Sequence, residues 1–309
     1  MTLESLNRRI KTTAELRDIV STMKMLSSVS VGQYERALLS VREFGKTVRE
    51  GFLGVLLNDA FHFRPQEIKT PQPNTLIVAI GTDNGLVGRF NKDVLTHAAH
   101  AAAGSPVRLI CVGKRMGLLA RARTHPVDDI YPISNSLKEI MTLASMILVT
   151  IDAVIAREKI EKVMLCFNQR AAAAVQPTTQ QLMPLPLPQY REFKKQKWDG
   201  PSIPMVAGDK RRVFQALIHE YFIVSLTHAL TSSLAAEHYT RMMNMQQAEK
   251  NIDESLDEMN REYQQTRQAK ITDELIDIVS GAESLKSASP LTKDAKQAKR
   301  KQPPRKEKK

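Results

Sequence analysis

The first 57 positions contain no proline, and in their second half apolar or small residues recur at alternating steps of four and three. Tyr34, Leu38, Val41, Gly45, Val48, Phe52 and Val55 hold that spacing. Leu3, Leu6, Ile10, Thr13 and Val20 hold it less cleanly. Such a repeat is the a/d seam of a helix lying along a partner helix. It predicts a helix over 1–57, about 80 Å long. The pattern returns at the other end, where 210–283 has no proline and no glycine before Gly281. Met242, Met245, Ile252, Leu256, Met259, Tyr263 and Thr266 keep the register, interrupted by Glu249. This second helix extends to about 105 Å. Helices of this length belong to coiled coils rather than to an ordinary globular domain. Lying at opposite ends of the chain, they close most simply as an antiparallel pair with the middle inserted at one end; separate bundles or a dimer are the other arrangements the pattern allows.

The middle, 73–205, has a different texture. TLIVAIG (75–81), VRLICV (107–112) and KVMLCF (162–167) are short continuous apolar runs, as expected for parallel strands buried on both faces. Helical stretches at 89–103, 115–123 and 137–157 separate them, which implies right-handed crossovers in a small layered domain. The expected fold class is therefore α+α/β: a long antiparallel coiled coil of N- and C-terminal helices with an inserted Rossmann-like α/β domain. Pro184, Pro186, Pro188, Pro201 and Pro204 mark an irregular exit from the insert. Residues 284–309, ending KRKQPPRKEKK, form a basic tail too poor in apolar residues to build a core, and are expected to be disordered.

Charge changes the picture only after it is located. The chain of 309 residues carries a formal +12, which would suggest nucleic acid or an anionic membrane. Lys286–Lys309 alone holds ten Lys/Arg against two Asp/Glu, so only +4 remains for everything before it. That tail has no aromatic residue to stack on bases. Cys111 and Cys166 sit singly in apolar runs without CxxC spacing, which argues for a reducing compartment. The N-terminus shows neither a secretory apolar region nor a transit-peptide composition. The apolar stretch 140–156 is shorter than a usual membrane span and carries Asp152, so it reads as a buried helix of the insert.

Candidate chemistry is sparse. Gly81-Thr-Asp-Asn-Gly85-Leu-Val-Gly88-Arg-Phe-Asn follows a strand and precedes a helix, where a phosphate could sit on helix N–H groups. It is neither GxGxxG nor a P-loop. Gly85 and Gly88 are therefore read as turn residues, and Gly113-Lys114-Arg115 likewise. His97 and His100 have a metal-compatible spacing without a nearby acidic or cysteine partner. Asp128-Asp129 reads as a loop and Asp257-Glu258 as a solvated helix face. No GxSxG, HExxH or Cys/His arrangement marks a nucleophile. No catalytic residue, cofactor or metal is expected.

Three motifs carry a family resemblance. Arg8-Arg9-Ile10-Lys11 followed by Met23-Lys24-Met25, and Thr82-Asp83-Asn84-Gly85-Leu86-Val87-Gly88-Arg89-Phe90-Asn91, are two of them. The third is the run Glu237-His238-x-x-Arg241-Met242-x-x-Met245-x-x-Ala248-x-x-Asn251, continued by Glu262-Tyr263, Arg267-Gln268 and Ile271-Thr272-x-Glu274. Together they resemble the gamma subunit family of F-type ATP synthases. The resemblance implies a rotating central stalk standing in a ring of alpha and beta subunits, with its insert against the epsilon subunit and the membrane c-ring. Catalysis would belong to the neighbours, and the site would be the cytoplasmic face of a bacterial inner membrane. It further implies beta-subunit contacts at Arg267, Gln268, Met23, Lys24, Arg8 and Arg9. The chain departs from the family pattern at 15–20, at 29–34, around 203–206, at Val87 and in its tail, which points to a divergent paralogue. Two rivals stand beside this reading: a coiled-coil adapter using its basic tail on nucleic acid or membrane, and a nucleotide-binding enzyme built on the insert.

Overall fold

A computed structural model describes residues 2–57, 72–102, 104–123, 125–134, 136–172, 174–185, 202 and 205–287. The expected terminal helices are both present: α1 spans Leu3–Leu57 and α5 spans Lys210–Ser287. Between them run β1 (Thr75–Ile80), α2 (Phe90–Ala102), β2 (Val107–Val112), α3 (Lys114–Ala122), β3 (Val127–Tyr131), α4 (Leu137–Glu158), β4 (Lys162–Ala171) and β5 (Ala174–Met183). Helix α5 thus continues four residues beyond Glu283, into the stretch read as tail; the rest of that tail, and Pro186, Pro188, Pro201 and Pro204, lie outside the described residues. By contacts the chain forms two compact units, one of residues 1–19 with 249–309 and one of 20–248.

In the larger unit the sheet order is β3-β2-β1-β4-β5. The first four strands are parallel, and β5 returns antiparallel on β4. β1 is buried at every position because both its faces are covered. Ile77, Ala79, Cys111 and Cys166 face α2 and α3, where Val94, Leu95, Met116 and Ala120 close a core. Val78, Ile80, Leu165 and Phe167 face α4 and α5 in a second, larger core that takes in Ile147, Ile151, Leu230 and Leu234. At about 25 cal/mol per Å² of apolar surface removed from water, these two layers are the main source of stability.

β3 and β5 occupy the sheet edges, and the expected alternation had left both out. Asp128 therefore lies on a strand, not in a loop. Its side chain is only 4% exposed, and it accepts hydrogen bonds from Arg108 and Arg157, both at 2.5 Å. Pro177 in β5 is tolerated because an edge strand needs only one of its two ladders. The stretch 140–156 is half-buried rather than buried. Ile140, Leu143, Ile147, Ile151 and Val154 of α4 pack on the sheet, while Met141, Met146 and Val149 are exposed. An apolar solvent face is what made the helix read as fully internal; α4 and α5 are both long and apolar enough to cross a membrane by length and composition.

The helices run antiparallel in this unit, since partner numbers fall along α5 as they rise along α1. Tyr34 stacks on the ring of His238, a Cβ on Gly45 would touch Val224, and Phe52 meets Phe214 edge to face. The expected seam residues Tyr34, Val48, Phe52 and Val55 are buried. In the smaller unit, Leu6 and Met259 are buried and Arg17 pairs with Asp253 at 2.5 Å. Every residue of α5 from Arg267 to Ser284 is exposed.

Candidate functional site

The turn after β1 lies where a parallel sheet of this order reverses its direction of winding, between β1 and β4. Ligands of open α/β sheets collect at that crevice. Here the chain fills it with its own groups. Asn91 accepts the Thr82 N–H through Oδ1 at 3.0 Å and donates from Nδ2 to Thr82 Oγ1 at 3.0 Å. Asn168 of β4 donates to the Phe90 carbonyl at 3.1 Å. The N-terminus of α3 holds a carboxylate already, because Asp83 Oδ1 accepts the Lys114 N–H at 2.7 Å. Oriented N–H groups favour an anion at such a position, and Asp83 supplies it. Gly85 leaves room for Arg115, whose Nη1 would lie 2.6 Å from an added Cβ. Gly88 takes φ +59°, the left-handed region that a residue without Cβ adopts freely.

The same turn is a docking element. Val87 and Phe90 pack on Ala236 of α5. Asn244 Nδ2 donates to the Leu86 carbonyl at 3.1 Å. Beneath it lies the Glu237-His238-x-x-Arg241 segment. Glu237 is 3% exposed and Arg241 7%, and they pair across one helical turn at 2.6 Å. Burial pushes the Glu237 carboxyl above its ordinary range; Arg241 opposes that and Asp83 adds to it. Burial, then Arg241, push His238 down to about 4. Burial lifts the Tyr34 hydroxyl to about 12. Two of the motifs singled out in the sequence thus pack against each other. The sequence pattern marks them separately, names Arg115 only as part of a turn, and gives no sign of Asn168 or Asn244, whose partners are far away in the chain.

The remaining predicted site residues are spread over the two units. Arg8, Arg9, Arg267 and Gln268 belong to the smaller unit and are exposed. Met23 and Lys24 belong to the larger and are half-buried. Met25 and Met243 are open to solvent, whereas Met245 is 5% exposed and serves the seam. His97 is half-buried and His100 exposed, and among the described residues no three His, Cys, Asp or Glu side chains cluster as metal ligands.

A sequence model of the family described as ATP synthase matches residues 2–285. The chain belongs to the ATP synthase gamma family. It is 28% identical over 294 residues to the ATP synthase gamma chain of Christiangramia forsetii, covering 92% of this chain and 98% of that one. It is 26% identical over 294 residues to that of Bdellovibrio bacteriovorus, covering 92% and 99%. Among solved structures, it is similar to a chain of the Euglena gracilis mitochondrial ATP synthase in an OSCP/F1/c-ring assembly, with a TM-score of 0.67, 16% identity, and coverage of 94% of this chain and 96% of that one. That likeness carries the gamma fold, long terminal helices around a sheet domain, over nearly the whole length.

Proposed function

We propose that this gamma-family chain is the rotating central stalk of a bacterial F-type ATP synthase. It turns inside a hexameric ring of alpha and beta subunits and couples ion flow through a c-ring to ATP chemistry on the beta subunits. The observation that carries the reading is α5 itself. One helix of 78 residues is locked into the sheet domain around Leu226–Glu237 and presents only exposed side chains from Arg267 to Ser284. A part that works by transmitting torque needs such an anchored element and an exposed bearing end, here carrying both charged side chains and the exposed Ile271, Leu275, Ile276, Ile278 and Val279.

The chain is a non-catalytic subunit in this reading, with Mg-ATP held by its neighbours. Support comes from the turn after β1, whose anion position Asp83 occupies. Solved structures of similar fold come from a rotor of Euglena gracilis and a central stalk with c-ring of Tetrahymena thermophila. Alpha, beta, epsilon and c subunits are accordingly the proposed partners. The cytoplasmic face of a bacterial inner membrane is the proposed location, in keeping with the bacterial relatives. Arg267, Gln268, Met23, Lys24, Arg8 and Arg9 are the proposed beta-subunit contacts.

The deciding experiment mixes purified full chain with alpha and beta subunits. A stable complex whose ATPase activity depends on this chain is the expected result. Absence of a complex, or activity indifferent to the chain, would reject the assignment.

A further inference from the structure

A cleft of about 290 Å³ opens in the larger unit where α1, α5 and β5 meet. Arg42 and Arg49, two turns apart on one face of α1, line it together with Gln180 of β5 and Tyr221, Ser225 and His228 of α5. Among the described residues no carboxylate lines it. On α1, Glu43 pairs with Lys46 at 2.7 Å and Glu35 with Arg170, while Glu50, next to Arg49, is exposed and is not part of the cleft lining. Neither Arg42 nor Arg49 has an ion-pair partner among the described residues. Two guanidinium groups thus border a concave surface that offers hydroxyl, amide and imidazole groups and has no carboxylate in its described lining.

We propose that this cleft is a binding site for a small oxyanion of the phosphate class. Guanidinium groups bind phosphate through paired, charge-assisted hydrogen bonds. A tetrahedral anion with acceptors on every side can use donors converging from three elements, as a monocarboxylate cannot. Val41, Val48 and Val224 form the apolar part of the wall. The volume lies at the lower limit of small-molecule sites, about 300 Å³, so it accepts inorganic phosphate or the terminal phosphate of a nucleotide, not a whole nucleotide. His228, whose pKa burial and then Arg42 lower, is neutral near pH 7 and free to donate one hydrogen bond without adding charge.

Calorimetric titration of the full chain with inorganic phosphate, ADP and acetate tests this. Saturable one-site binding of phosphate and none of acetate is expected. Tighter binding of ADP than of phosphate would assign the nucleotide's terminal phosphate as the occupant, and the reverse order the free ion. Arg42→Gln or Arg49→Gln should each weaken binding about tenfold, the value of one charged hydrogen bond. Arg49→Lys should retain part of it. Both arginines are exposed, so the variants should keep the parent's circular dichroism spectrum. Heat that never saturates, or binding unchanged in the double Arg→Gln variant, would mean an adventitious ion only and overturn the site.

Discussion

Arg241 Nη2 donates to Glu237 Oε1 at 2.6 Å in the interior of the protein, one turn away on the same helix. The pair is consequential mainly because of what would follow if it were broken. Removing Arg241 as Arg241→Met strands a carboxylate that burial already disfavours, and such a loss costs about 3–5 kcal/mol. Glu237→Gln should cost less, because the Gln carbonyl oxygen can still accept from Arg241 although the guanidinium loses its counter-charge. Urea denaturation of the three proteins at pH 7 gives the order; equal losses would show that the charge of Glu237 carries no weight.

His238 provides the acid limb. Its folded pKa of about 4 lies below the ordinary 6.5, first through burial and then through Arg241. Between those values the unfolded chain binds a proton that the folded one does not, so stability is complete above pH 6.5 and falls as pH drops toward 4. His238→Gln should flatten this part of the stability curve. Glu237 acts in the opposite sense: its raised pKa makes stability fall as pH rises above the ordinary carboxylate range. The double variant should therefore flatten both limbs.

Glycine substitutions around the turn should divide by what the new methyl meets. Gly113→Ala forces φ +104° on an alanine and drives Cβ to 2.7 Å from the backbone of Thr82. Gly85→Ala meets only the guanidinium of Arg115, which can swing away. Thermal melting should show Gly113→Ala losing several kcal/mol, beyond the roughly 1–3 kcal/mol of backbone strain alone. Gly85→Ala should lose less than about 1 kcal/mol.

Both thiols are fully buried, and burial lifts Cys111 to about 12 and Cys166 to about 11. Since only the thiolate alkylates readily, iodoacetamide at pH 8 should leave both unmodified until the sheet unfolds. Mass spectrometry showing a label under native conditions would mean that the sheet opens locally.

Arg267→Ala and Gln268→Ala alter exposed side chains beyond the seam and should leave the melting temperature unchanged. In the reconstituted assembly they should lower ATPase turnover, each removing a polar contact worth about 1 kcal/mol. Truncation after Ser287 should leave turnover largely intact. A drop in stability with the first pair would reassign them to the fold.

The sequence announced β1, β2 and β4 because a strand covered on both faces shows a continuous apolar run, Leu76–Ile80, Leu109–Val112 and Val163–Phe167 in turn. The edge strands gave no such signal. Asp128 is charged yet buried, and its partners Arg108 and Arg157 are brought to it only by the finished sheet. The terminal helices were legible from the seam positions, and the turn from its glycines. What closes the turn was not, since Asn244 lies 158 residues from Leu86 and local pattern cannot register that contact. Nor did Glu237 or Arg241 look internal, because charge on a helix normally signals solvent and here signals a partner one turn away.

The core between the sheet and α4 also includes Tyr34 from the start of the chain and Leu226, Leu230 and Leu234 from near its end. During synthesis, the strands and their crossover helices emerge from the ribosome long before the last helix that seals them. Until then, apolar surface that will face α5 stays open to water and to other nascent chains. The interval is longer than for a domain whose contacts are local. One sheet face thus stays open from the completion of β5 at Met183 until Leu234 has been made, roughly fifty residues later, and folding of this protein depends on shielding it through that interval.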